Sequence, residues 1–90
     1  YYPEGSYNSL HADNSSVENG IITKIKSWKY TAIVFLNDSF SGGDLVYPKQ
    51  GCVFRPIIGN MIIAPADETH MHYVSTVTHG ERYTLVFRMN

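Results

Sequence analysis

The feature that most limits what this chain can become is how often it is told to turn. Glu4-Gly5, Asn19-Gly20, Asn37-Asp38, Gly42-Gly43, Pro48, Gly51, Pro56, Gly59-Asn60, Pro65 and Gly80 punctuate it from end to end. Glycine supplies the positive φ that tight turns need, and proline pre-sets φ while removing a donor. Between these marks no window of about eleven residues keeps a 3.6-residue apolar period, so long helices are not expected. What remains is short and rich in β-branched and aromatic side chains. These runs predict strands near residues 8–12, 21–25, 29–36, 44–47, 52–55, 61–64, 72–77 and 81–88. Residues 22–28 have room for one helical turn, but Ile21, Ile22 and Thr23 favour an extended backbone. Short strands at regular spacing predict an all-β sandwich or barrel.

Ninety residues, 43% of them apolar and 17% charged, suit one small globular domain spanning 1–90 rather than two cores. Seven Lys/Arg against eight Asp/Glu, with no basic run, argue against a nucleic-acid partner. Apolar stretches such as Ala32 to Leu36 are far short of a bilayer span, and no secretory signal is seen, so no membrane partner is expected. Cys52 is the sole cysteine, which excludes an intrachain disulfide and a cysteine-built zinc cage.

A small barrel fills its interior with alternate side chains. From Glu81 onward Arg82, Thr84 and Val86 share one face, while Tyr83, Leu85 and Phe87 share the other. His72, Val74 and Thr76 fall together in the same way. An inward-facing arginine is expensive unless something pairs with it, so the pattern points to a wet, functional interior. His11-Ala12-Asp13 puts an imidazole and a carboxylate on one strand face, about 7 Å apart at Cα. Alone this pair also reads as an exposed polar strand end. A second imidazole at His72 completes two histidines and one carboxylate, the facial set of non-haem Fe(II) oxygenases. Arg82, across the Gly80 turn, offers a guanidinium fork that can hold a carboxylate bidentately.

Together the motifs resemble a known family. Tyr2-x-x-Gly5, His11-x-Asp13, Thr31-Ala32-Ile33-Val34-Phe35-Leu36-Asn37, Phe40-x-Gly42-Gly43-Asp44-Leu45, Pro56-x-x-Gly59 and His72-x-Val74-x-x-Val77-x-x-Gly80-x-Arg82 occur in order from Tyr2 to Phe87. This set is similar to the catalytic core of the Fe(II)/2-oxoglutarate-dependent dioxygenases, in their prolyl 4-hydroxylase-like branch; the His-Ala-Asp-Asn wording is also similar to prolyl 3-hydroxylases. The resemblance implies a double-stranded β-helix, the jelly-roll or cupin-like fold. It implies His11, Asp13 and His72 as iron ligands and Arg82 as partner of the distal carboxylate of 2-oxoglutarate. Tyr2 matches the tyrosine that hydrogen-bonds that carboxylate, with Tyr7 a rival nearer to His11. Thr31 matches a strand residue lining the same pocket. The implied cofactors are Fe(II), 2-oxoglutarate and O₂, with ascorbate as an optional addition. The implied reaction hydroxylates a C–H bond, first of all in a prolyl residue of a peptide or protein, and releases succinate and CO₂. A reduced cysteine and a need for Fe(II) point to a cytoplasmic setting.

The chain departs from that family in three places. Only Tyr1 precedes the tyrosine motif, so the N-terminal helices that brace the major sheet are dispensed with in a minimal form, lie outside these residues, or come from a partner chain. A bare edge and an uncovered apolar face invite association, which leaves an oligomer open. Position 88 is Arg, where the resembled enzymes often carry Trp near the substrate. The Asp13-to-Thr31 connection is short, and Asn14 to Lys29 reads as a mobile lid with Trp28 near its hinge.

Blander readings compete. A cupin-like scaffold that holds a metal without oxidation is one alternative, and an inactive homologue is another. His70 rivals His72 by sharing its strand face, but lacks the Val–Val–Gly–Arg register behind it. His79 sits in a turn and reads as exposed. Asn14 and Asn37 open Asn-x-Ser sequons that read as chance matches. Cys52 reads as a small buried hydrophobe rather than a nucleophile. Trp28 and Tyr30 beside Lys24, Lys26 and Lys29 read as a solvated face.

Overall fold

The computed structural model describes residues 1–90 and is all-β apart from one short turn of 3₁₀-helix. In chain order the strands are β1 (Asn8–His11), β2 (Ser15–Glu18), β3 (Ile21–Lys24), β4 (Tyr30–Phe35), β5 (Ser41–Gly42), β6 (Leu45–Tyr47), β7 (Cys52–Phe54) and β8 (Met61–Pro65). The 3₁₀ turn Glu68–His70 comes next, then β9 (His72–Val74), β10 (Val77–His79) and β11 (Thr84–Met89). One sheet has the order β1-β9-β6-β7 and another the order β11-β4-β8; β10 pairs with β5 and β2 with β3. Every pairing is antiparallel. No helix is long and apolar enough to cross a membrane.

The core lies where the two larger sheets face each other. Ile33 and Phe35 come from β4, Leu45 and Tyr47 from β6, and Val74 from β9. Alternation along β4 sends Thr31, Ile33 and Phe35 inward and Ala32 and Val34 outward. The outer face is as apolar as the inner one: Leu85 and Phe87 flank it from β11, and Met61 and Ile63 from β8, each about half exposed. Two glycines hold the corner between the sheets. A Cβ on Gly42 would collide with the Thr76 carbonyl oxygen, and one on Gly43 would meet Arg82 Cδ at 2.9 Å; both residues sit at positive φ.

The structure redraws several expected boundaries. The run expected at 72–77 is two strands, because the chain turns at Ser75 and Thr76 to let Gly43 N donate to Thr76 O at 3.2 Å. The run expected from 81 begins at Thr84; before it, Arg82 forms an isolated bridge with Tyr2, bonded in both directions at 2.8 and 2.9 Å. Ser15–Glu18 is a strand although its sequence carries little β-branched character. It is templated by β3 across the Asn19-Gly20 turn. Cys52 is half-buried against the core rather than fully buried.

Candidate metal centre and anion pocket

The antiparallel pairing of β1 with β9 sets His11 opposite His72. Their rings therefore meet, with centroids 4.5 Å apart. Ala12, buried, turns the chain inward so that Asp13 returns to the same side. Asp13 Oδ1 lies 3.2 Å from His11 Nε2 and 3.4 Å from His72 Nε2. One donor atom from each residue falls within 4.8 Å of the other two. Neighbouring ligands on an octahedral ion at about 2.1 Å would stand about 3 Å apart, so the three side chains need only small shifts to share a cation.

The histidines are held in the sense a metal requires. His11 Nδ1 bonds Ser9 O at 2.7 Å, and His72 Nδ1 bonds His70 O at 3.1 Å. A carbonyl can only accept, so each Nδ1 keeps its hydrogen and each Nε2 faces the shared point. The His70 carbonyl is itself placed by the 3₁₀ turn, whose cap is Asp67 accepting from Thr69 N at 3.0 Å. Gln50 Nε2 donates to Thr69 O at 2.7 Å and ties that turn to the β6–β7 end. Burial alone would raise the Asp13 carboxyl pKa, but His11 and His72 outweigh it and hold it well below the usual range. The hydrogen bond to Asp13 raises His11, against the opposing effect of burial. The cluster is thus an ionised carboxylate between two imidazoles. Tyr47 closes the floor, its ring centroid 5.0 Å from that of His72. Burial first, and the Asp13 charge second, push its phenol up to about 12, so it stays neutral.

Arg82 lies in the same pocket as the triad, together with Tyr2 and Thr31. It is 2% exposed. Its Nε donates to Gly43 O at 2.9 Å, and its guanidinium carbon stands 4.8 Å from the Tyr2 ring centroid and 5.5 Å from that of Phe35. Burial lowers its pKa, and no carboxylate pairs with it. Its Nη2 has no partner at all. Thr31 Oγ1 is also buried without one, although it lies near enough to Asp13 to favour the ionised carboxylate. A buried guanidinium with an unfilled donor is costly unless an anion completes it. The residues present therefore fit a chelated cation at one point and a carboxylate at another.

The structure separates the sequence's rivals. Tyr2 lines the pocket and accepts from Asn8 Nδ2 at 3.2 Å, whereas Tyr7 is 66% exposed. His72 joins the cluster; His70 does not, and His79 is exposed beside Glu4. Asn14, which the sequence shows only as a sequon, is 1% exposed. Its Nδ2 donates to Trp28 O at 2.6 Å, and its own carbonyl accepts from Ile25 N and Lys26 N. Asn14 thus clamps the base of the β2–β3 hairpin, and Trp28 sits at an anchored point rather than a loose one. Asn37 is likewise engaged, donating to Glu81 O at 2.8 Å. Tyr47 and Asn14 were missed as site-shaping residues because nothing local marks them. Tyr47 carries only the period-two pattern with Leu45, and Asn14 only its adjacency to Asp13.

Residues 1–89 match the family model described as the 2OG-Fe(II) oxygenase superfamily. Among solved structures, the chain is similar to an oxidoreductase of the 2OG-Fe(II) oxygenase family from Burkholderia pseudomallei. That match has 27% identity and a TM-score of 0.75, and covers 96% of this chain and 37% of the other. It is similar in fold to the viral collagen prolyl hydroxylase of Paramecium Bursaria Chlorella virus-1, solved as its 2OG complex. There the identity is 20% and the TM-score 0.75, over 99% of this chain and 55% of that one. The fold is therefore the oxygenase jelly roll, and the chain spans less than two thirds of each of these two structures. No curated protein matches it.

Proposed function

The chain belongs to the 2OG-Fe(II) oxygenase superfamily, and from that premise we propose that it hydroxylates a C–H bond with Fe(II), 2-oxoglutarate and O₂. His11, Asp13 and His72 hold the iron in this reading. Arg82 and Tyr2 take the distal carboxylate of 2-oxoglutarate, with Thr31 beside them. The single observation that carries the assignment is Arg82: a buried guanidinium with a free Nη2, in the pocket of a two-histidine, one-carboxylate cluster.

Fe(II) with 2-oxoglutarate, when bound, supplies the oxidising power that puts one oxygen atom of O₂ into the substrate and the other into succinate, with loss of CO₂. The chain's own part is placement. Asp13 stays ionised and brings a negative charge to the cation. The Ser9 and His70 carbonyls fix both imidazoles with Nε2 presented. Arg82, pinned by Gly43 O and packed against two aromatic rings, meets an incoming carboxylate without having to reorganise. Phe35, Leu45 and Tyr47 keep the floor dry. The substrate we assign is a prolyl residue of a peptide or protein, supported by the motif resemblance and the fold likeness to a collagen prolyl hydroxylase.

The deciding measurement is an anaerobic Fe(II) titration with 2-oxoglutarate, followed by the weak visible charge-transfer band of the keto-acid chelate. Appearance of the band in the wild type, with a steeply raised 2-oxoglutarate requirement and retained Fe(II) binding in Arg82→Ala, supports the assignment. Iron binding without the band would leave a metal-holding scaffold instead.

A further inference from the structure

Arg88, exposed, is a second guanidinium on the pocket side of β11 and makes no hydrogen bond or ion pair. It continues the period-two row of Arg82, Thr84 and Val86, lines the same pocket and lies in register with Thr31. Its charge reaches His11, where it opposes protonation. Its guanidinium carbon stands 5.1 Å from the ring centroid of Trp28, and Lys26 Nζ approaches that ring at 5.8 Å. Trp28 is anchored through the Asn14 clamp. The ion pairs of the molecule are His11–Asp13, His72–Asp13 and His79–Glu4, so neither cation at this aromatic ring has a carboxylate.

A solvated surface arginine is the ordinary explanation for an unpaired guanidinium, but Arg88 lines the pocket and lies over the ring of a residue whose backbone carbonyl Asn14 bonds. Nor does it duplicate Arg82. Six residues of extended chain separate the two by about 20 Å at Cα, and their contacts diverge, Arg82 towards Tyr2 and Phe35 and Arg88 towards Trp28. Charge balance leaves the same residue over. With the imidazoles neutral, a divalent iron and Arg82 are matched by Asp13 and a dianionic keto acid, and Arg88 remains uncompensated.

We propose that Arg88, held against Trp28, binds a carboxylate of the primary substrate and so selects substrates that carry one near the carbon to be oxidised. This rests on the reading that the His11–Asp13–His72 centre performs that oxidation on a prolyl group. The carboxylate belongs either to a free amino acid or to an acidic peptide, and the same contact serves both. Cation–π packing holds the guanidinium plane while leaving its N–H edge free for a bidentate partner.

Trp28 is the only tryptophan, so its fluorescence reports this contact directly. The full chain, loaded anaerobically with Fe(II) and 2-oxoglutarate, is titrated with matched probes. L-Proline against L-prolinamide tests a free α-carboxylate; acetyl-Pro-Glu-amide against acetyl-Pro-Gln-amide tests an acidic peptide. In at least one pair the anionic probe is expected to half-saturate at about tenfold lower concentration, and the pair that discriminates identifies the source. Arg88→Gln is expected to bring the ratio near one, Arg88→Lys to keep part of it, and both to leave the visible band of the loaded protein unchanged. No discrimination in either pair, or discrimination that survives Arg88→Gln, overturns the proposal. Absence of the band in the wild type is a separate outcome: it sinks the metal reading and this inference with it.

Discussion

Two arginines on one face of the closing segment meet opposite fates. Arg82 is buried, bonded to the Gly43 carbonyl and enclosed by Tyr2 and Phe35. Arg88 is exposed, rests on one ring and bonds nothing. The deep guanidinium is fixed before any ligand arrives, which suits an invariant cosubstrate. The outer one lies over the Trp28 ring and keeps its hydrogen-bonding edge open, which suits a substrate carboxylate.

The most severe way to break this comparison is to remove what stands between the two ends. His72→Ala is expected to weaken Fe(II) binding by about a hundredfold or more, since it deletes one of three donors, while His70→Ala retains binding. An anaerobic metal titration with each variant checks both.

Arg82 itself comes next. Arg82→Met keeps volume and removes a buried charge that lacks an anion, so the ligand-free protein should hold its stability or gain about 1–4 kcal/mol. 2-Oxoglutarate is expected to raise the melting temperature of the wild type, and the same variant should lose that rise. A variant destabilised in both states would mean that Arg82 is a structural brace and not a ligand's partner.

A smaller effect is expected when Arg82 is disturbed indirectly. Gly43→Ala forces a Cβ towards Arg82 Cδ at positive φ, at a cost of about 1–3 kcal/mol, and it should weaken 2-oxoglutarate binding as the guanidinium shifts. At the other end Asn14→Ala removes the buried bond to the Trp28 carbonyl, costing about 1–3 kcal/mol. Its readout is a redder Trp28 emission with the Fe(II)–2-oxoglutarate band intact. If the Asn14 change erased the band, the two ends would not be separable.

The smallest effect is on pH. Asp13 has a lowered pKa, so its contribution is present above the ordinary 3.8 and fades as acid titrates it below that. His11 has a raised pKa, so its share is full below the ordinary 6.5 and fades as pH rises through the raised value. The metal-free protein should therefore be most stable between these two values. Bound metal needs an unprotonated His11, so loading with iron should move the maximum upward. Melting curves across pH, with and without Fe(II), test the shift.

Much of this was legible in the residues. β4, β8 and β11 announce themselves by β-branched and aromatic runs between turn signals, and period two correctly aims Arg82, Thr84 and Val86 inward. His72 stands out from His70 because Val74, Val77, Gly80 and Arg82 lie behind it at the right intervals. What escaped was set by distant partners. Ser15–Glu18 is a strand because β3 pairs with it, and the break at Ser75 and Thr76 exists because Gly42 and Gly43 pass close by. Asn14 looks like a modification sequon until its burial is known. Long-range contacts of that kind leave no local mark on composition or period.

The opposition of His11 to His72 has a consequence in time. Asp13 and His11 belong to the opening stretch of the chain, and His72 and Arg82 to the closing one. Bringing His11 to His72 means closing the 60 intervening residues as a loop, a search that delays folding. A polypeptide emerging from synthesis would carry its first two donors long before the third existed. Iron could then be gripped only once β9 had paired with β1, and metal loading would double as proof that this pairing had formed.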